Sequence, residues 1–148
     1  MQAKRKYYII DDDEFIPEEK FHLIGISGTV RFYKLCYHLN HFLDIDLSMD
    51  EPINISIPGK KSNVSFLRLS YTKMPGQHRF EVIINKTSSD VLVKQLKSYD
   101  ILCKLPFDFS SDEIKKICSK IKQLKEVILV NHVNVETIKE IHKLCVLQ

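Results

Sequence analysis

Residues 21–26, FHLIGI, form a short apolar run closed by Ser27 and Gly28, the pattern of a strand packed into a core. The period then lengthens. Phe32, Cys36, Leu39 and Leu43 recur at helical spacing from Val30 onward, and Leu35 and Phe42 widen the stripe, which predicts a helix opened by Ser27 or Gly28 and laid on a sheet. The opposite face of that helix carries Arg31, Lys34, His38 and His41. Cations in a first turn oppose the helix dipole, so Arg31 and Lys34 point to an anionic contact or partner there.

The other segments read as follows. Residues 4–10 predict a first strand, and the acidic run from Asp11 to Glu14 ends it as a solvated loop that lacks the spacing of a calcium site. Ile53, Ile55 and Ile57 alternate into a short strand ended by Pro58 and Gly59. Residues 64–72 and 78–85 alternate as a hairpin, joined through Met74, Pro75, Gly76 and Gln77 with the proline and glycine where a type II turn needs them. Leu67, Leu69 and Tyr71, with Phe80, Val82 and Ile84, give it one apolar face.

Residues 91–96 predict a helical turn and residues 99–105 a strand stopped by Pro106. Ser110 and Glu113 make a capping box for a second helix, whose buried stripe is Ile114, Ile117, Cys118, Ile121 and Leu124. Residues 127–130 are continuously apolar, the mark of an interior strand, and Asn134 caps a last short helix with Ile138 and Ile141. The sum is a single α+β domain over 1–148, a two-layer sandwich with two main helices on one face of a mainly antiparallel or mixed sheet of about five strands.

Composition narrows the class. A chain of 148 residues, 44% hydrophobic and 28% charged, buries a core without disulfides. No apolar run reaches the roughly 20 residues of a membrane span, so no membrane partner is expected. The opening MQAKRKYYIIDDD lacks the apolar centre of a signal peptide, and Cys36, Cys103, Cys118 and Cys145 are widely spaced without a CxxC. Both features predict a cytoplasmic protein with reduced core cysteines. The net charge of +3 is modest but uneven: residues 51–100 hold eight basic and four acidic side chains, against six and nine in residues 1–50.

Candidate chemistry is sparse. Ser27, Gly28 and Thr29, between strand and helix, are the residues that would present N–H groups and hydroxyls to a small anion, with Arg31 or a histidine beside them. Four glycines supply neither a dinucleotide fingerprint nor a Walker A loop, so no nucleotide cofactor is expected. Cys36 points into the apolar stripe while His38 and His41 face outward, which argues against a metal site. No nucleophile, base and orienter set stands out, so enzymatic function lacks support. Lys60, Lys61, Arg68, Lys73, Arg79 and Lys86, with His78, form a basic rim on or beside the hairpin that would suit RNA, near Phe66 and Tyr71.

The segments FHLIGIS, RFYKLCYHLNHFLDIDL, SYDILCKL and IKQLKEVILVNHVNV together resemble the IPExxVD family of the Bacteroidetes, although Ile16-Pro17-Glu18 has no Val-Asp behind it. The resemblance implies a small cytoplasmic protein without known catalysis and supplies no site residues. Members often lie near ribonuclease III and pyruvate kinase genes, which implies an RNA-linked setting.

Three readings follow. The first is a non-enzymatic interaction or adaptor protein, with a protein partner or second copy closing a sheet face exposed around Ile83 and residues 127–130. The second is an RNA-associated protein using Arg31, Lys34 and His38 or the basic rim. The third is an enzyme or sensor holding a small anion at residues 27–29.

Overall fold

A computed structural model of the chain describes residues 20–56, 59, 63–73 and 79–145. The predicted strand at 4–10, the acidic run after it, the hairpin turn at 74–77, and Lys60, Lys61 and His78 lie outside the described residues.

The α+β class holds, with two helices and a sheet of six strands instead of about five. The strands are β1 (Phe21–Gly28), β2 (Ser48–Met49), β3 (Ile53–Ile55), β4 (Val64–Phe66), β5 (Arg68–Tyr71), β6 (Phe80–Ile84), β7 (Ile101–Pro106) and β8 (Val127–Val133). Helix α1 spans Phe32–Leu43 and α2 Ser111–Lys122. The main sheet runs β2-β5-β6-β7-β1-β8 with every neighbouring pair antiparallel, and β3 and β4 form a separate ribbon.

The alternation in β1 divides the interior in two. Ile24 and Ile26 face the helix layer with Leu69, Val82 and Cys103, and bury Phe32, Leu35, Cys36 and Leu39 of α1 and Ile114, Ile117 and Ile121 of α2. Phe21 and Leu23 face the other way with Ile83 and Leu102. That second face is covered by the chain itself: Ile53 and Phe66 from the ribbon, Leu92, Val93 and Leu96, and Ile138, Ile141 and Leu144. Ile83 is therefore fully buried, and the exposed sheet face expected around it is absent among the described residues.

Three further expectations change. The predicted strand at 64–72 splits at Leu67, because Phe66 turns onto the second sheet face opposite Ile53 while β5 continues beside β6. The apolar run at 127–130 belongs to an edge strand: its register against β1 shifts between Ser27 and Gly28, leaving Ile128 70% exposed. Apolar continuity alone does not separate an interior strand from an edge strand carrying a bulge. Helix α1 starts at Phe32, later than Ser27 or Gly28, because Gly28 and Thr29 still bond to Asp100 and Glu126 beside the end of β1. Gly28 has φ +146°, and a Cβ there would sit 2.1 Å from the Glu126 carbonyl oxygen.

The capping box forms as predicted. Ser110 Oγ accepts from Glu113 N–H at 3.1 Å, and the Glu113 carboxylate accepts from Ser110 N–H at 3.0 Å. These two bonds hold the exposed Glu113 carboxyl below its ordinary range. Asn134 caps a 3₁₀ turn at Val135–Thr137, and a second turn at Ile141–Leu144 follows instead of one short helix.

Candidate functional site

Because α1 turns its apolar stripe to the sheet, everything else on it faces outward. Tyr33 and Tyr37, one turn apart, are 59% and 74% exposed, and Met49 on edge strand β2 is 59% exposed beside them. The Tyr33 hydroxyl reaches Met49 Sδ at 4.0 Å. Moving around the helix from the tyrosines, one meets His41, Lys34 and His38, with Arg31 at the N-cap. Lys34 Nζ pairs with Glu126 Oε1 at 2.5 Å, and that bond holds the Glu126 carboxyl below its ordinary range. His38 Nε2 lies 3.1 Å from the Lys120 carbonyl oxygen, and Lys120 Nζ sits 5.3 Å above the Phe42 ring. Arg31 and His41 are exposed. No acidic residue lies between positions 31 and 43. Cys36 is on the buried face, its thiol pushed up to about 12 by burial, so Cys36, His38 and His41 do not converge.

The turn at residues 27–29 uses three of its donors within the fold. Gly28 N–H donates to Asp100 Oδ2 at 2.9 Å, Thr29 N–H donates to the Glu126 carbonyl at 3.0 Å, and Ser27 Oγ donates to the Ser98 carbonyl. The acceptors that an external anion would replace are supplied by the fold, two of them from acidic residues. The sequence reading placed an anion here; the structure places Asp100 there instead.

Of the expected basic rim, the cations Arg68, Arg79 and Lys86 are paired within the fold. Arg68 is 3% exposed and belongs to the interior. Its Nη1 donates to Glu81 Oε1 at 2.9 Å and its Nε to the Glu51 carbonyl at 2.9 Å, while Nη2 lies 3.9 Å from Asp50 Oδ1 without a hydrogen bond. Glu81 Oε2 stands 2.8 Å from Lys104 Nζ, an ion pair with off-axis geometry instead of a directed hydrogen bond. Lys104 Nζ also donates to the Leu144 carbonyl at 2.6 Å and lies 4.5 Å from the Phe21 ring centroid, which ties the C-terminal turn onto the sheet. Arg79 pairs with Asp50 and Lys86 with Asp100 at 3.5 Å; Lys73 is exposed. Burial would raise the Asp50 carboxyl, but hydrogen bonds from Ser70 Oγ and Glu51 N–H and the two guanidinium groups outweigh it and hold it below its ordinary range.

A smaller surface group stands where β1 and β8 meet. The His22 ring stacks on the half-exposed Phe107 at 5.4 Å and meets His132 edge-on at 5.2 Å. Burial and the neighbouring His22 push His132 below its ordinary value. Among the described residues no three His, Cys, Asp or Glu side chains come together as a metal site, and no helix is long and apolar enough to cross a membrane.

Sequence reasoning singled out the cations of α1 and passed over Tyr33 and Tyr37. Their i, i+4 spacing outside the apolar stripe was the available signal. No protein-family model, curated protein or solved structure matches the chain.

Proposed function

We propose that this chain is a non-enzymatic cytoplasmic interaction protein that meets its partner through the outer face of α1. The observation that carries the reading is the contiguous exposure of Tyr33, Tyr37 and Met49 next to a cationic arc. Large amphipathic aromatics on a rigid element contribute contact area at little entropic cost, and their exposure otherwise leaves apolar surface in water. The sheet face around Ile83 is closed internally, while Ile128 and Leu129 on the edge strand stay exposed, and the interaction reading moves to this helix. Four free cysteines fit a reducing compartment, and the buried Cys36 and Cys103 have thiols that burial pushes up, away from nucleophilic use.

A photocrosslinking side chain placed at Tyr37 in the native host tests the reading, with the same group at the exposed Ser88 as control. The expected result is a discrete crosslinked species specific to position 37. Equal, diffuse labelling at both positions sinks the proposal.

A further inference from the structure

We infer that the partner of this face is a single-stranded nucleic acid, with Tyr33 and Tyr37 as the base-stacking pair and the cations of the helix layer as its phosphate track. The inference rests on the reading of α1 as the contact surface, and goes further by naming the occupant.

Charge is the first ground. The segments that build the helix layer, residues 31–43 and 111–126, contain seven Lys and Arg against three Asp and Glu, a net of +4 where the whole chain carries +3. The helix layer is therefore net positive, as is the stretch 51–100 with eight basic and four acidic side chains. Its acids are engaged or peripheral: Glu126 is bound by Lys34, Glu113 is held in the capping box, and Asp112 sits in the first turn of α2. Lys115, Lys116 and Lys125 are exposed, and Lys120 lies against α1 through Phe42. Lys122 donates to the Ile128 carbonyl of β8, while the exposed lysines of α2 and Lys120 against α1 give the helix layer several separate cations, which fits a polyanion whose charges repeat along a chain.

The character of the apolar residues is the second ground. The exposed apolar side chains of α1 are both tyrosines, with no aliphatic residue among them. A helix that docks into a protein groove presents aliphatic anchors at i, i+3, i+4 and i+7. Flat aromatics flanked by cations are what unpaired bases stack on, and the spacing of one helical turn, about 6 Å between Cβ atoms, matches bases splayed from consecutive or alternate nucleotides. A duplex keeps its bases stacked inside and would leave both rings unused.

The test is fluorescence anisotropy with a labelled uridine oligonucleotide of about 15 nucleotides, titrated with the full chain across a series of salt concentrations. The expected result is binding whose logarithm falls linearly with the logarithm of salt. Tyr33→Ser and Tyr37→Ser should each weaken it about tenfold at constant salt slope. Lys115→Gln and Lys116→Gln should each flatten the slope by about one phosphate contact. All four positions are exposed, so unchanged circular dichroism is expected of each variant. Absence of binding at low salt overturns the inference, and so does binding that ignores the tyrosines. If the Tyr37 crosslinker captures a protein in ribonuclease-treated extract while the oligonucleotide does not bind, the contact face stands and the nucleic-acid assignment falls. Binding to phosphatidylserine vesicles without binding to the oligonucleotide overturns it in favour of a membrane surface.

Discussion

Replacing Glu81 with glutamine removes one charge from a site that shields two buried cations. Glu81 and Lys104 are each 1% exposed and Arg68 is 3% exposed, so water screens none of the three effectively. At an effective dielectric of about 20, a pair of unit charges at the observed 2.8 to 2.9 Å attracts by about 6 kcal/mol before desolvation is charged against it. Most of that gross attraction offsets the cost of taking the ions out of water. What the substitution exposes is the remaining imbalance: Arg68 and Lys104 both lose the carboxylate they share, and Asp50 lies 3.9 Å from Arg68 Nη2. Breaking a buried pair in this way costs about 3–5 kcal/mol.

For Glu81→Gln, urea unfolding followed by circular dichroism should give a midpoint lowered by about 2 M at unchanged slope. Lys104→Met should cost less, because Glu81 then keeps Arg68. Replacing all three with apolar residues of similar volume should restore much of the loss. A Glu81→Gln protein within about 1 kcal/mol of wild type would refute the reasoning, as would Lys104→Met proving the more damaging change.

Three other predictions accompany it. Ser110→Ala removes the cap of α2 and should cost about 1 kcal/mol in the same urea assay, with the loss concentrated in fast amide exchange at the start of that helix. Gly28→Ala places a Cβ against the Glu126 carbonyl at a positive φ, and should cost about 2 kcal/mol or more as β8 is pushed off the end of β1. The fold holds Asp50 and Glu140 below their ordinary values; for Glu140, burial raises the carboxyl, but bonds from Lys143 Nζ and Lys94 N–H outweigh it. The unfolded chain therefore takes up protons first. Their stabilisation is complete above pH of about 5 and is lost as pH falls through the folded values, so Asp50→Asn and Glu140→Gln should flatten the acid limb of the stability curve.

The legible parts of the fold were those where one face is wet and one dry. The stripe of Phe32, Leu35, Cys36 and Leu39 gave α1, Ser110 with Glu113 gave the start of α2, and the pairing of Leu69 with Val82 followed the alternation. The second sheet face was illegible because the segments covering it, Leu92 to Leu96 and Ile138 to Leu144, are short turns with no sustained period. Once that face is buried, the polar half of the alternation becomes interior as well, which is why Arg68, expected on the rim, lies inside paired with Glu81. Lys104 carried a signal of its own, a single charge inside the apolar strand ILCKLP, whose partner lies across the β6–β7 register. At residues 27–29 the end of the strand is legible, but the later start of α1 at Phe32 is not, because the Gly28 and Thr29 N–H groups bond to Asp100 and Glu126, far away in sequence.

The most direct test of the central claim, that the outer face of α1 is the contact surface, is quantitative affinity capture of the tagged protein from native cytosol, with and without ribonuclease. Wild type should be compared with a Tyr33→Ser/Tyr37→Ser variant of matched urea midpoint. The account predicts a stoichiometric partner recovered with wild type and lost with the double variant, and loss of recovery on ribonuclease treatment if that partner is nucleic acid or bridged by it. Full recovery with the double variant, or no partner with wild type under either treatment, would contradict it.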